Sequence, residues 1–205
     1  MRKILVVAGI STEVGKTVTS ALLTEALKAD YWKPVQSGSL QDSDTERVRD
    51  LVSYECSVFH KESYLLRAPL SPHAAAELEG IYIDLENIKV PETDENLIIE
   101  MAGGLMVPLN ENELMLDLVK KWKYPVVLVS NFYLGSINHT LMSVDILRLH
   151  SIPIHSIVFN GIVTQSSRDA IVRHAQVNRY YEMPTFTPLD KKSIQAYAQQ
   201  IATSI

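Results

Sequence analysis

The sequence predicts an α/β fold built on a mostly parallel central sheet with helices on both faces. Three observations predict it. Short apolar runs without polar alternation recur along the chain, as strands covered on both faces require. Stretches with helical apolar spacing separate these runs. The first run ends in a glycine-containing turn that opens directly into a helical pattern.

Each element has its own reason. Residues 4–8, Ile-Leu-Val-Val-Ala, form the first strand, and residues 16–28 carry the first helical spacing through Ala21, Leu22 and Leu23. A short second strand is expected over 29–33. A helix over 45–53 follows a polar segment in which Asp42 or Ser43 can act as cap. Residues 71–79 read as a helix with Ser71 as cap and Pro72 as first helical residue. The run 96–100 is a strand, 113–122 a helix, 125–130 a strand, 137–149 a helix and 154–160 a strand. Helices over 167–180 and from 191 to the C-terminus complete the pattern. No repeat, low-complexity tract or linker divides the chain, so residues 1–205 are expected to form one domain.

Composition narrows the function. With 205 residues, 46% hydrophobic and 21% charged, the chain is long enough to bury one sizeable core. No apolar run approaches the roughly 18 residues of a membrane span, and Met1-Arg2-Lys3 leads straight into a strand too short for a signal peptide, so a cytoplasmic location without membrane attachment is expected. Cys56 is the only cysteine, which excludes intrachain disulfides and multi-cysteine metal sites. A net charge of −5 argues against nucleic acid as partner.

The chemistry is concentrated first in Gly9-Ile10-Ser11-Thr12-Glu13-Val14-Gly15-Lys16-Thr17, between the first strand and the first helix. In that setting backbone N–H groups turn toward phosphate oxygens and the positive end of the helix stands behind them. Lys16 neutralises charge and the Thr17 hydroxyl can hold Mg²⁺. This pattern makes the fold class P-loop NTPase-like. The loop is one residue longer than the common form, which points to a subclass.

In an open parallel sheet ligands gather at the carboxyl ends of the strands, where Gly9, Lys33, Glu100, Asn131 and Asn160 fall. Glu100 is expected to end its strand before Met101-Ala102-Gly103-Gly104 and reads as a Mg²⁺ ligand. Asp44 reads either as a second carboxylate for the ion or as a solvated cap residue. Lys33, ahead of Pro34-Val35-Gln36-Ser37-Gly38-Ser39, reads either as a surface lysine or as a group facing the site. Gly135-Ser136-Ile137-Asn138-His139 opens a helix whose N–H groups suit a carboxylate or phosphate, with plain capping by Ser136 as the alternative. His139 and His73 read as packing or hydrogen-bonding histidines. Asn160, before Gly161, suits either a base edge or an ordinary turn.

Taken in order, these motifs, from the long phosphate loop through Lys33-Pro-Val-x-Ser37-Gly-Ser39, Ser43-Asp44, Ser71-Pro72-His73, Glu100-x-Ala-Gly-Gly and Leu134-Gly-x-Ile-Asn138-His139 to Asn160, resemble the dethiobiotin synthetase family. The resemblance implies a homodimeric, ATP-dependent ligase that closes a cyclic urea from 7,8-diaminopelargonate and CO₂ or bicarbonate, with Mg²⁺ as cofactor. It implies Lys33, Lys16 and Thr12 as catalytic groups and Thr17, Asp44 and Glu100 as metal ligands. Nucleotide binding falls to Glu13, Val14, Gly15, Lys16, Thr17, Val18, Asp44 and Glu100, with Met101, Ala102 and Gly103, and at the base Asn160, Gly161, Pro188 and Leu189. Substrate binding falls to Thr12, Lys33 and Ser37, and, across the dimer interface, to Gly135, Ser136, Ile137 and Asn138.

The chain departs from the family pattern in having Met101 for a glycine, Ser11 for an aspartate, and few residues after Leu189; the last leads to an expectation of looser base selectivity. A partitioning ATPase of the same fold would carry a lysine where Ser11 stands. A corrin amide ligase would carry a nucleophilic cysteine, and a non-catalytic module would have no use for Lys33 and the carboxylates.

Overall fold

The computed structural model describes residues 2–203 and 205. Its elements in chain order are β1 (Ile4–Gly9), α1 (Lys16–Leu27), β2 (Asp30–Trp32), β3 (Val35–Ser37), α2 (Asp44–Leu51), β4 (Phe59–His60), β5 (Tyr64–Leu66) and α3 (Pro72–Leu78). A single 3-10 turn over Leu85–Asn87 leads to β6 (Leu97–Gly104), α4 (Met115–Trp122), β7 (Val126–Asn131), α5 (Ser136–Leu149), β8 (Ile154–Asn160), α6 (Gln165–Ala175), β9 (Tyr180–Met183) and α7 (Lys191–Ile201).

Seven strands form one sheet in the order β4-β2-β6-β1-β7-β8-β9, and every pairing in it is parallel. Strands β3 and β5 form a separate parallel pair. The apolar runs are buried on both faces because helices cover both. On one face Leu5, Val7, Ile98, Val127 and Val129 pack against Leu22 of α1, Val48 of α2 and Ile194 of α7. On the other, Val6, Leu97, Ile99, Leu128 and Phe159 pack against Ala75 of α3, Met115 and Val119 of α4, Val144 of α5 and Ile171 of α6. No described helix is long and apolar enough to cross a membrane.

The expected strands and helices are present, with three differences. Residue 180 begins β9 and does not end a helix: α6 stops at Ala175 because Gln176 takes a left-handed backbone, φ 45°, with no glycine or proline to signal the stop. Strand β6 does not end at Glu100 but continues to Gly104. Two steps along β1, from Val7 to Gly9, face four along β6, from Glu100 to Gly104, and Gly103 absorbs the resulting bulge at φ 64°. Finally, Gly135, with φ 103°, is the N-cap of α5, and Ser136 is its first helical residue. The other caps are as the sequence suggests: Ser43 accepts the Glu46 N–H at 3.2 Å, and Pro72 follows Ser71.

Candidate active site

β1 is a central strand, so its carboxyl end delivers the loop of residues 10–15 to the middle of the sheet edge. Gly9 is required by close approach: a Cβ there would lie 2.7 Å from the Ser11 carbonyl oxygen and 2.8 Å from Val14 Cγ2. Gly15 caps α1 at φ 98°, a conformation that disfavours other residues. Behind it, Asn160 Nδ2 donates to the Val14 carbonyl at 2.9 Å, tying the end of β8 to the loop. Lys16 Nζ donates to the Ser11 carbonyl at 2.9 Å and so lies folded across the loop's own mouth. Burial lowers its pKa to about 8, Glu100 opposing this and Lys33 adding to it.

Beside the loop stands a compact charge cluster. Alternation along β2 puts Tyr31 and Lys33 on one side and Trp32 on the other, where it meets Trp122 at 5.7 Å between ring centroids. Lys33 is 4% exposed, so the surface reading is excluded. Its Nζ lies 2.8 Å from Asp44 Oδ2 and 3.2 Å from Glu100 Oε1. Thr17 Oγ1 lies 2.7 Å from Asp44 Oδ1 and 3.1 Å from Glu100 Oε1, one hydroxyl proton serving both. The Tyr31 hydroxyl donates to Glu100 Oε2 at 3.0 Å.

Burial opposes the charge on Lys33, but Glu100 and Asp44 outweigh it and hold the ammonium above the usual lysine range. Burial alone would raise Asp44; the Lys33 ammonium prevails and keeps its carboxyl below the usual carboxylate range. The Tyr31 phenol is pushed well above its ordinary value by burial and by the neighbouring Glu100, so it remains a proton donor.

Loop and cluster open on a cleft of about 850 Å³ lined by Thr12, Glu13, Gly15, Lys16, Thr17, Val18, Lys33, Ser37, Asp44, Ala102 and Gly103 among others. Nearly all of the residues expected at the phosphates, the metal and the reacting end of the substrate therefore come together. Ser37 Oγ is buried without a hydrogen-bond partner among the described residues, a donor free for a ligand.

The remaining assigned residues do not line this cleft. Met101 is turned by strand alternation away from Glu100 and its side chain is buried in the core, so only its backbone is left to meet a nucleotide. Val14 is likewise buried, in the opposite core layer. Asn160, the last residue of β8, and Gly161, Pro188 and Leu189, on the loops after β8 and β9, do not line this cleft, although the Asn160 side chain lies against the phosphate loop at Val14 and Gly15. The stretch from Gly135 to Asn138 is also outside it, at the start of α5, where Ser136 Oγ accepts the Tyr133 N–H at 3.4 Å.

Sequence reasoning missed Tyr31, Gln36 and Arg47. Gln36 is buried; its Oε1 accepts the Asp44 N–H at 3.3 Å and its Nε2 donates to the Gly38 carbonyl at 3.0 Å, which steadies the segment carrying Ser37. Arg47 lines the cleft and pairs with Asp42 at 2.6 Å. Cys56 is exposed, outside this site.

A strand-loop-helix phosphate cradle at the carboxyl edge of a parallel sheet, with lysine, threonine and two carboxylates converging on it, defines a P-loop nucleotide-dependent enzyme. Crystal structures of a ParA family ATPase from Chlorobium tepidum TLS and of a putative plasmid partition protein from Borrelia burgdorferi B31 bound to AMPPNP share the fold. Their TM-scores are 0.56 and 0.54 at 13% and 11% identity; the matches cover 100% and 96% of this chain and 93% and 90% of theirs. Residues 3–193 match the family model described as an AAA domain. ATP-dependent dethiobiotin synthetases from Christiangramia forsetii and Cytophaga hutchinsonii are 48% and 44% identical. Each match spans 98% of this chain, and 96% and 97% of the respective relative. The chain belongs to the ATP-dependent dethiobiotin synthetase family and is an ATP-dependent ligase of biotin synthesis.

Proposed function

We propose that the chain closes the cyclic urea of dethiobiotin from 7,8-diaminopelargonate and CO₂, working as a single cytoplasmic domain that pairs into a homodimer. The observation that carries the reading is the burial of Lys33 between Asp44 and Glu100 beside the phosphate loop. A structural lysine has no need of that position, whereas a reaction that brings two anions together does.

One amine of the substrate takes up CO₂ to give a carbamate. A carbamate oxygen then attacks the γ-phosphorus of ATP, and the bond to the β,γ-bridging oxygen breaks, with ADP as leaving group. The second amine attacks the carbonyl of the mixed anhydride, expels phosphate and closes the ring. No protein nucleophile is needed. Lys16 and Lys33 offset the charge where carbamate and phosphate meet, and Thr12 and Ser37 orient the carbamate for in-line attack. Lys33 reaches the carbamate only by leaving at least one of its present carboxylate partners.

Thr17, Asp44 and Glu100 fit Mg²⁺: all three offer hard oxygen donors, and both carboxylates lie within hydrogen-bond distance of the Thr17 hydroxyl. When bound, Mg²⁺ neutralises the β- and γ-phosphate oxygens. Asn160 keeps Oδ1 and one amide hydrogen for a base edge after its bond to Val14. The dimer reading rests on exposed apolar groups beside and along α5: Leu134 next to the Gly135–Asn138 helix start assigned to the substrate's carboxylate tail, Met142 further along, and Leu149 at the far end.

ADP release measured with and without diaminopelargonate and bicarbonate tests the proposal. Turnover that requires both supports it. Turnover indifferent to the diamine, or stimulated by DNA or lipid, overturns it.

A further inference from the structure

Glu100 is a carboxylate with two unlike oxygens. Oε1 faces Thr17 Oγ1 and Lys33 Nζ, at 3.1 and 3.2 Å. Oε2 faces away from both and accepts from the Tyr31 hydroxyl at 3.0 Å. The terminal torsion of a glutamate is broad and nearly two-fold, so a carboxylate held on one side only can turn out of the plane its partners need. Tyr31 removes that freedom, and it is itself held. It is 0% exposed, its N–H donates to the Val58 carbonyl at 2.9 Å, and its ring lies against Phe59, 6.0 Å between centroids and tilted by 47°. Strand order supplies the reach: β2 lies beside β6, Tyr31 stands level with Ile98, and alternation carries Glu100 onto the same face one step further along.

We propose that Tyr31 is a positioning residue for the metal-binding carboxylate, its hydroxyl anchoring Glu100 Oε2 so that Oε1 is presented to the ion. The proposal rests on the assignment of Glu100 as a metal ligand. Tyr31 touches neither nucleotide nor substrate; it acts through Glu100, as an outer partner that orients a ligand and supports its affinity.

The test is Tyr31→Phe, which removes the hydroxyl and keeps the ring. Mn²⁺ binding is followed by loss of the free-ion electron paramagnetic resonance signal, with a non-hydrolysable ATP analogue at saturation. Analogue binding in EDTA is measured separately. Y31F is expected to weaken Mn²⁺ about tenfold and to leave analogue binding in EDTA within about twofold of the parent. The Mg²⁺ concentration for half-maximal turnover should rise in proportion, with kcat recovering at high Mg²⁺. Phe59→Leu, which loosens the ring without touching the hydroxyl, should lower thermal stability and weaken Mn²⁺ much less than Y31F does.

Unchanged Mn²⁺ affinity in Y31F, an equal shift in F59L, or a Y31F chain that does not fold would each overturn the proposal in favour of a purely structural tyrosine. Glu100→Gln separates this from failure of the metal assignment. If E100Q also binds Mn²⁺ as the parent does, the metal reading fails; if E100Q loses the ion and Y31F does not, only the positioning role fails.

Discussion

Replacing Lys33 with methionine keeps most of the length of the side chain, one heavy atom short, and removes its charge. Two carboxylates then face one another across Thr17 with no cation between them, where the parent holds Nζ at 2.8 Å from Asp44 and 3.2 Å from Glu100. Breaking a buried ion pair from one side costs about 3–5 kcal/mol. Glu100 is fully enclosed, but the Asp44 side chain is 26% exposed and water relieves part of its penalty, which places the expected loss near the lower figure. For a chain of this size each kcal/mol lowers Tm by about 2–4 °C, so K33M should melt roughly 6–12 °C below the parent at pH 7.

The deficit should depend on pH. Asp44 is held below the ordinary carboxyl value by Lys33, so in the parent it contributes stability above about pH 4 that is lost as pH falls through its lower folded value. In K33M the pull of Lys33 is gone and only the Thr17 hydrogen bond and Arg47 still oppose burial, so Asp44 sits higher than in the parent; the two melting curves should therefore converge as pH is lowered toward about 4. Added Mg²⁺ without nucleotide should stabilise K33M more than the parent, because the ion then meets no competing ammonium. Scanning calorimetry at several pH values, with and without Mg²⁺, measures all three. A K33M protein within about 1 °C of the parent at pH 7, with an equal Mg²⁺ response, would refute the account of Lys33 as the cation that holds the two carboxylates together.

Lys16→Ala should weaken nucleotide binding about ten- to a hundredfold by titration calorimetry, more than Lys33→Ala does, since a charge-assisted contact is worth about 1.5–3 kcal/mol; equal, mild effects would count against the separate roles of the two lysines. Ser37→Ala should leave Tm almost unchanged, because Oγ has no partner among the described residues, while raising KM for the diamine several-fold. A large stability loss with KM unaltered would remove Ser37 from the substrate site.

The middle of the sheet is legible because β1, β6, β7 and β8 carry unbroken apolar runs, and the phosphate loop because its residue types and its place between strand and helix agree. What the sequence left open had identifiable causes. Strands β3, β4 and β5 have two or three residues each, too few for any periodicity to register. The expected helix over 167–180 runs past its true end to the first residue of β9 because the stop at Gln176 is made by backbone conformation and not by residue type. Lys33 was ambiguous because a lysine is buried only with partners, and its partners, Asp44 and Glu100, come from α2 and β6. Tyr31 passed unnoticed for the same reason: a tyrosine in a buried strand is ordinary until its hydroxyl is seen to meet a carboxylate 69 residues away.

The bulge in β6 ties two properties of the enzyme to one short piece of chain. Glu100 precedes it, and Ala102 and Gly103, which lie within it, form a wall of the cleft, with Gly103 close to Thr12. Adding or deleting a single residue there would reverse which side chains face inward and shift the wall relative to the acid group in the same stroke. Descendants of this chain are therefore free to reshape their substrate pocket by exchanging side chains, whereas any change in length has to be made beyond Gly104.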